Sequence, residues 1–189
     1  MPSTRDIVYG VYGAWRLLRL DRGALSYFDT SDEGFWKSFF AAALVLPGYA
    51  ILVLLDPAVE RATGGVLRIS LIQVLTYSLS WTVYPVIVQP IVQAIDRDAN
   101  YVRFIVAFNW AKVIQMAIYL PVVGIVTTGV LSDGMASVLN GGVYMTLLAY
   151  QWFVTRVALD VKPWSATGLV ALDFMTGVIL SVLAVGMLS

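Results

Sequence analysis

Two charged residues stand inside long apolar runs, and they are the groups most able to do chemistry in this chain. Lys112 lies within residues 102–131 and Asp173 within residues 164–188. Lys112 is nine residues past Arg103, and Asp173 nine past Trp164. At 1.5 Å rise per residue each sits roughly 13 Å along a helix from its start. An isolated charge at such a depth in hydrocarbon costs about 2.5–3.5 kcal/mol on insertion scales. Equal depth and opposite sign therefore predict a Lys112–Asp173 pair. It would either lock two helices together or stand on a path for a solute or proton, unless Lys112 snorkels outward along its stem. Asn109, Lys112, Gln115 and Tyr119 share much of one helical face, and Gln89 lies at a comparable depth between Pro85 and Pro90. The expected intramembrane polar cluster is Gln89, Asn109, Lys112, Gln115 and Asp173.

Other chemistry is excluded by residue type. The chain has no Cys and no His. Disulfides, thiolate or imidazole ligation of a metal, and nucleophiles that rely on His or Cys cannot be built. No P-loop, dinucleotide fingerprint, HExxH or GxSxG pattern occurs. Asp29, Asp32 and Glu33 cluster and could hold a cation weakly, but helix capping is their expected role. No catalytic, cofactor or metal residue is expected. Formal net charge is zero, which gives no bulk attraction to nucleic acid.

The elements that must position the polar cluster follow from composition. The 189 residues are 59% hydrophobic and 13% charged, with mean hydropathy +0.80. Soluble domains are about 45–50% apolar and about 25% charged, so a bilayer is the expected surroundings. A spanning helix needs roughly 20 apolar residues. Five segments qualify: 35–55, 66–95, 102–131, 135–159 and 164–188. The expected fold is all-α, a polytopic bundle of five transmembrane helices plus an N-terminal amphipathic helix. Residues 1–34 form the N-terminal segment and 35–189 the membrane domain. Pro47-Gly48-Tyr49 predicts a kink in the first span. Gly124, Gly129, Gly141, Gly142, Gly177 and Gly186 are expected to let backbones approach closely. Trp36, Trp81, Trp110, Trp152 and Trp164 are expected as interface anchors.

Charge sets the expected orientation. With the N-terminus inside, cytoplasmic segments hold Arg5, Arg16, Arg19, Arg22, Lys37, Arg97, Arg103, Arg156 and Lys162, against Arg61 and Arg68 outside. The start of the chain lacks the apolar run and cleavage site of a secretory signal, so the first span is expected to be retained. This predicts a multi-pass protein of the bacterial inner membrane, N-terminus cytoplasmic and C-terminus outside.

Before the first span, Ile7, Val8, Val11, Tyr12, Trp15 and Leu18 recur at helical spacing. Arg5, Asp6, Arg16 and Arg19 lie largely off that stripe. The candidate interface set is Ile7, Val11, Trp15, Arg16, Leu18 and Arg19, on a helix that lies on the membrane surface or packs on the bundle's end. Ser3 with Asp6 predicts its start and Gly23 its stop. Thr30 and Glu33 are spaced as a capping box for the first span.

Val11-Tyr12-Gly13 and Pro47-Gly48-Tyr49, together with the five-span plan and very short outer tail, resemble the bacterial Yip1-like family along nearly the whole chain. The Asp-Leu before the first motif and the Pro after it are not present here. The resemblance implies an architecture more than an activity, because bacterial members mostly lack an assigned one. The expected function is non-enzymatic. The protein would act through lipid or protein contacts, as an accessory subunit, assembly factor or membrane organiser, with another membrane protein or a second copy as partner. The alternative is a small transporter or channel for a polar solute or proton.

Overall fold

The computed structural model describes residues 1–62 and 65–188. The described residues are helical, with no strand among them. In chain order the helices are α1 (Thr4–Leu18), α2 (Asp32–Ser38), α3 (Phe40–Leu54), α4 (Pro57–Glu60), α5 (Gly65–Ala94), α6 (Tyr101–Thr127), α7 (Asp133–Leu159) and α8 (Pro163–Leu188). Short 3₁₀ turns cover Arg22–Tyr27 and Asp98–Asn100.

Four helical stretches are long and apolar enough to cross a membrane: Asp32–Leu54, Gly65–Ala94, Asp98–Thr127 and Pro163–Leu188. The fifth expected span corresponds to α7. It has the same 27 residues as α6, but Asn140, Gly141, Gly142, Gln151 and Arg156 dilute its apolar content. The outside of the bundle is apolar. Leu67, Leu71, Val86, Ile179 and Val182 are all exposed, a surface that suits hydrocarbon rather than water.

The long helices alternate in direction. At one end, here the near end, lie α1 and α2, the starts of α6 and α8, and the ends of α5 and α7. The far end carries α4, the start of α5 and the ends of α6 and α8. The near half is built around α6. Its eight consecutive residues Phe104 to Ala111 are all buried. Eight residues make more than two turns, so the helix is covered on every side. The cover is α1, α2, α3 and α7, with Tyr84 of α5 over Phe104 and Phe108.

Close approach depends on particular glycines. A Cβ at Gly10 would overlap the Trp110 indole, so only glycine lets α1 reach α6 there. A Cβ at Gly34 would overlap the Asp29 carbonyl, and one at Gly48 would come within 2.8 Å of the Met116 side chain. Tyr150 of α7 donates its hydroxyl to the Ala14 carbonyl of α1 at 2.8 Å. The ring of Tyr84 stacks on Phe108 with centroids 4.8 Å apart, and its hydroxyl donates to the Leu169 carbonyl of α8. Lipid chains are as apolar as the core, so such packing and hydrogen bonds, rather than exclusion of water, hold helices together in a membrane.

The near-end helix termini are closed by side chains. Orphan carbonyls at the end of α7 accept from Arg103 Nε (Ala158, 2.8 Å), Asn100 Nδ2 (Leu159, 2.9 Å) and Arg97 Nε (Asp160, 3.0 Å). At the far end Arg68 donates to the Met187 carbonyl. Pro85 and Pro90 sit inside an unbroken α5, and the Tyr101 hydroxyl donates to the Pro85 carbonyl at 3.0 Å.

Some local expectations shift. α1 starts with the Ser3–Asp6 capping box, but it stops at Leu18, and Leu20 takes a positive φ before Gly23 is reached. Ser31, not Thr30, caps α2, accepting from the Gly34 N–H at 3.0 Å, while Glu33 pairs with Lys37. The first span is interrupted at Phe39 rather than at Pro47. There the Ser38 hydroxyl bonds back to the Phe35 carbonyl and competes with the helical ladder. Trp81 and Trp110 are buried core residues rather than interface anchors, whereas Trp36 and Trp164 are exposed.

Candidate functional site

Two cavities meet at Lys112. One, of about 260 Å³, is lined by Tyr49 of α3, Tyr77 and Trp81 of α5, Gln115 and Tyr119 of α6 and Tyr144 of α7. The other, of about 400 Å³, is lined by Tyr84 of α5 and by Asp173, Thr176 and Ser181 of α8. Ser80, Lys112 and Tyr144 line both. Every one of the five long helical stretches therefore contributes to the region.

Lys112 is placed by its neighbours. It stands eleven residues beyond Tyr101, roughly 16 Å along α6. Its ammonium donates to the Ser80 carbonyl at 3.0 Å. It lies 4.8 Å from the Trp81 ring and 4.6 Å from the Phe108 ring, a geometry in which the ring quadrupole attracts a cation. An ammonium has three donors, and the Ser80 bond uses one. Asp173 faces the larger cavity but makes no direct ion pair with Lys112. Ion pairs within 4 Å among the described residues join Arg16 to Asp21 and Lys37 to Asp6 and Glu33. The expected pair is thus two charges on one cavity.

The cavity walls carry hydroxyls. Tyr49 donates to Gln73 Oε1 at 2.7 Å, Tyr77 to the Ala42 carbonyl at 2.6 Å, and the Tyr119 and Tyr144 hydroxyls share a 2.8 Å hydrogen bond. These bonds fix the ring positions, so the walls are preorganised. An ammonium with spare donors, a carboxylate and phenol oxygens left as acceptors can hold a small polar solute without covalent chemistry.

The expected cluster divides. Lys112 and Asp173 reach the cavities, and Gln115 lines the smaller one while donating to Gln151 Oε1 of α7 at 2.7 Å. Asn109 is sealed in the near half, where its Nδ2 donates to Ser38 Oγ at 2.9 Å. Asn109 Oδ1 and Gln151 Nε2 are buried with no hydrogen-bond partner. Gln89 lies on the exposed face of α5, away from the others, because Val88 and Pro85 occupy the buried side of that turn. Ser80, Tyr77, Tyr84 and Tyr144 belong to the site and were not singled out in the sequence, and Tyr49 was read there only as part of Pro47-Gly48-Tyr49. The spacing of Tyr77, Ser80 and Tyr84 at i, i+3 and i+7 was the available signal.

The N-terminal helix presents two faces. Gly10, Gly13, Ala14 and Leu17 are buried, and Ile7, Val11 and Leu18 pack half-buried against the core. Val8, Tyr12 and Trp15 are exposed on the other side, Trp15 at 48%, with Arg19 exposed beyond them. Arg16 pairs with Asp21 and donates to the Tyr27 hydroxyl at 2.9 Å, which ties the following turn to the helix. The Gly23 N–H and Arg16 hold the Asp21 carboxyl below its ordinary range. Ser3 and Lys37 do the same for Asp6.

Comparison with protein-family models, with curated proteins and with solved structures finds no match.

Proposed function

We propose that this chain is an integral membrane protein with five spans, α7 being the fifth, and that it works by binding rather than by catalysis. The bound object is a small polar solute held at Lys112, as in a small transporter or channel. The observation that carries this reading is the Lys112 ammonium at the junction of two cavities, with Tyr and Ser hydroxyls around it and Asp173 across from it. Ionisable groups at such depth are costly, and where they persist they commonly serve a pathway or site. The length of α7 and its antiparallel place between α6 and α8 support its spanning role. The charge bias puts the near end in the cytoplasm, in the orientation that the Yip1-like resemblance also implies.

The chain has no native cysteine, so single cysteines report water access directly. Ser80→Cys and Ser181→Cys are expected to react with a membrane-impermeant thiol reagent in intact vesicles. Ala166→Cys, in the packed near half, should not. If the two cavity cysteines stay as unreactive as Ala166→Cys, the cavities are dry and the reading fails.

A second reading has its own support. Gly124, Gly141, Gly142 and Gly177 face open space, which favours a bundle that meets another membrane protein or a second copy as an accessory subunit, assembly factor or organiser. Cysteine cross-linking between copies from Gly141→Cys and Gly177→Cys in native membranes would separate a self-associating protein from a lone one.

A further inference from the structure

We infer that the near end carries a second site, independent of Lys112, for a phosphate-bearing anion. A cavity of about 430 Å³ there is lined by Arg22, Asn100, Arg103, Arg156 and Asp160. The three guanidiniums come from distant parts of the chain: the turn after α1, the first turn of α6 and the last turn of α7. Bringing three like charges to one hollow is unfavourable unless something negative joins them. The single carboxylate on the wall, Asp160, balances one of the three. None of the ion pairs within 4 Å among the described residues involves these arginines.

Their placement is fixed from behind. Arg103 gives Nε to the Ala158 carbonyl at 2.8 Å, which orients the guanidinium plane and keeps its Nη nitrogens out of that bond. Arg156 places its guanidinium carbon over the Trp152 ring, 5.1 Å from the centroid, and none of the side-chain hydrogen bonds or ion pairs among the described residues uses its donors. Capping of α7 explains Arg97, Asn100 and Arg103, and the helix dipole favours Arg156 in its last turn, but neither explains Arg22. Planar forks with in-plane donors match the oxygens of a phosphate. Two sources share this chemistry: an anionic lipid headgroup or a free phosphate ester. The level of the cavity, beside Trp152 and the exposed Trp164 at helix ends, is where headgroups lie in a bilayer.

The test uses the full chain. Inorganic phosphate is titrated against sodium chloride of matched ionic strength in a neutral detergent, with the thermal midpoint as readout. In parallel, nanodiscs of phosphatidylcholine with and without phosphatidylglycerol are opened in native mass spectrometry, and retained lipid is counted. A midpoint rise with phosphate beyond chloride assigns a free phosphate ester. Retained phosphatidylglycerol without a phosphate response assigns the headgroup. In either arm Arg22→Gln with Arg156→Gln is expected to weaken binding about tenfold or more, as for loss of a charge-assisted bond, and Arg61→Gln at the far end should change nothing. If that double variant fails to fold, Asp160→Asn serves instead. It removes the opposing charge and is expected to tighten binding several-fold. Response in neither arm, binding undiminished in the double variant, or no gain in Asp160→Asn overturns the site.

Discussion

The two halves of the bundle treat most of their glycines in opposite ways, the open Gly168 in the near half and the enclosed Gly48 beside Met116 being the exceptions. In the near half Gly10, Gly13 and Gly34 sit where a Cβ would collide with Trp110, Phe28 or the Asp29 backbone. Toward the far end Gly124, Gly134, Gly141, Gly142, Gly177 and Gly186 have nothing within 4 Å of the position a Cβ would take. The core follows the same division. One large cluster surrounds α6 in the near half, whereas Ile72, Ala184 and Leu188 form a small separate one at the far end. The near half is a closed structure that holds five helices in register. The far half leaves space, and the cavities around Lys112 open from it. The tightest packing and the Lys112 cavities thus lie at different depths of one bundle.

The largest effects should fall where glycine is enclosed. Gly10→Leu forces α1 off the Trp110 indole and is expected to cost about 3 kcal/mol or more, the upper end for overpacking. Gly141→Leu, in open space, should be neutral or stabilise α7 by up to about 1 kcal/mol through helix propensity. Unfolding in a detergent series measures both. Equal costs at the two sites would erase the distinction between the halves.

Lys112→Met comes next and should move stability and water access in opposite directions. The thioether is one atom shorter and drops the charge; combined with Asp173→Leu, so that no carboxylate is left alone on the shared cavity, the bundle is expected to gain about 1–3 kcal/mol, as when a buried pair of charges gives way to apolar groups. Thiol access at Ser181→Cys should fall in the same background, because the cavity loses the charges that would draw water into it. A loss of stability instead would make Lys112 a strut, held by Ser80 and the rings of Trp81 and Phe108.

A smaller effect belongs to Gln115, whose amide joins α6 to α7. Gln115→Leu is expected to cost about 0.6–1.7 kcal/mol, the range for hydrogen bonds between membrane helices. A cost above about 3 kcal/mol would show that the seam between α6 and α7 is rigid well beyond the closed half.

How much of this was legible follows from which residues decide it. The apolar runs, the Ser3–Asp6 cap and the depth of Lys112 and Asp173 are local properties, and residue type with spacing reveals them. The division of α1 is not local. Ile7, Val8, Val11, Tyr12, Trp15 and Leu18 read as one stripe, yet the packed face is set by Gly10, Gly13 and Ala14, whose small size matters only once Trp110 and Phe28 stand opposite. Gly141 and Gly177 carry the same local signal and meet no neighbour. Trp81 and Trp110 show the same limit. A tryptophan near a helix end suits an interface, and only the arrival of Lys112 over one ring and α1 over the other buries them. Tyr119 shared the face of Lys112 and was visible, but Tyr77, Tyr84 and Tyr144 were hidden because a phenol in an apolar run is unremarkable until several converge.

The smallest effect tests how α1 is held to the closed half. Asp21 is stabilised as a carboxylate by the Gly23 N–H and Arg16, and Asp6 by Ser3 and Lys37, so both titrate below the ordinary aspartate value of 3.8 in the folded chain. Their folded values lie beneath the unfolded one, so their contribution is fully present above about pH 4 and is lost as pH falls through the lowered values. Both groups are solvent-facing, so screening keeps the effect small. Acidification from pH 5 to pH 3 is expected to loosen the start of α1 and the turn after it, read as faster amide exchange near Ser3 and Gly23. Phe104 to Ala111 should keep their protection throughout. Loss of protection along α6 in the same pH range would mean that the carboxylates tie down more than the first helix, and that the closed half depends on its outermost layer.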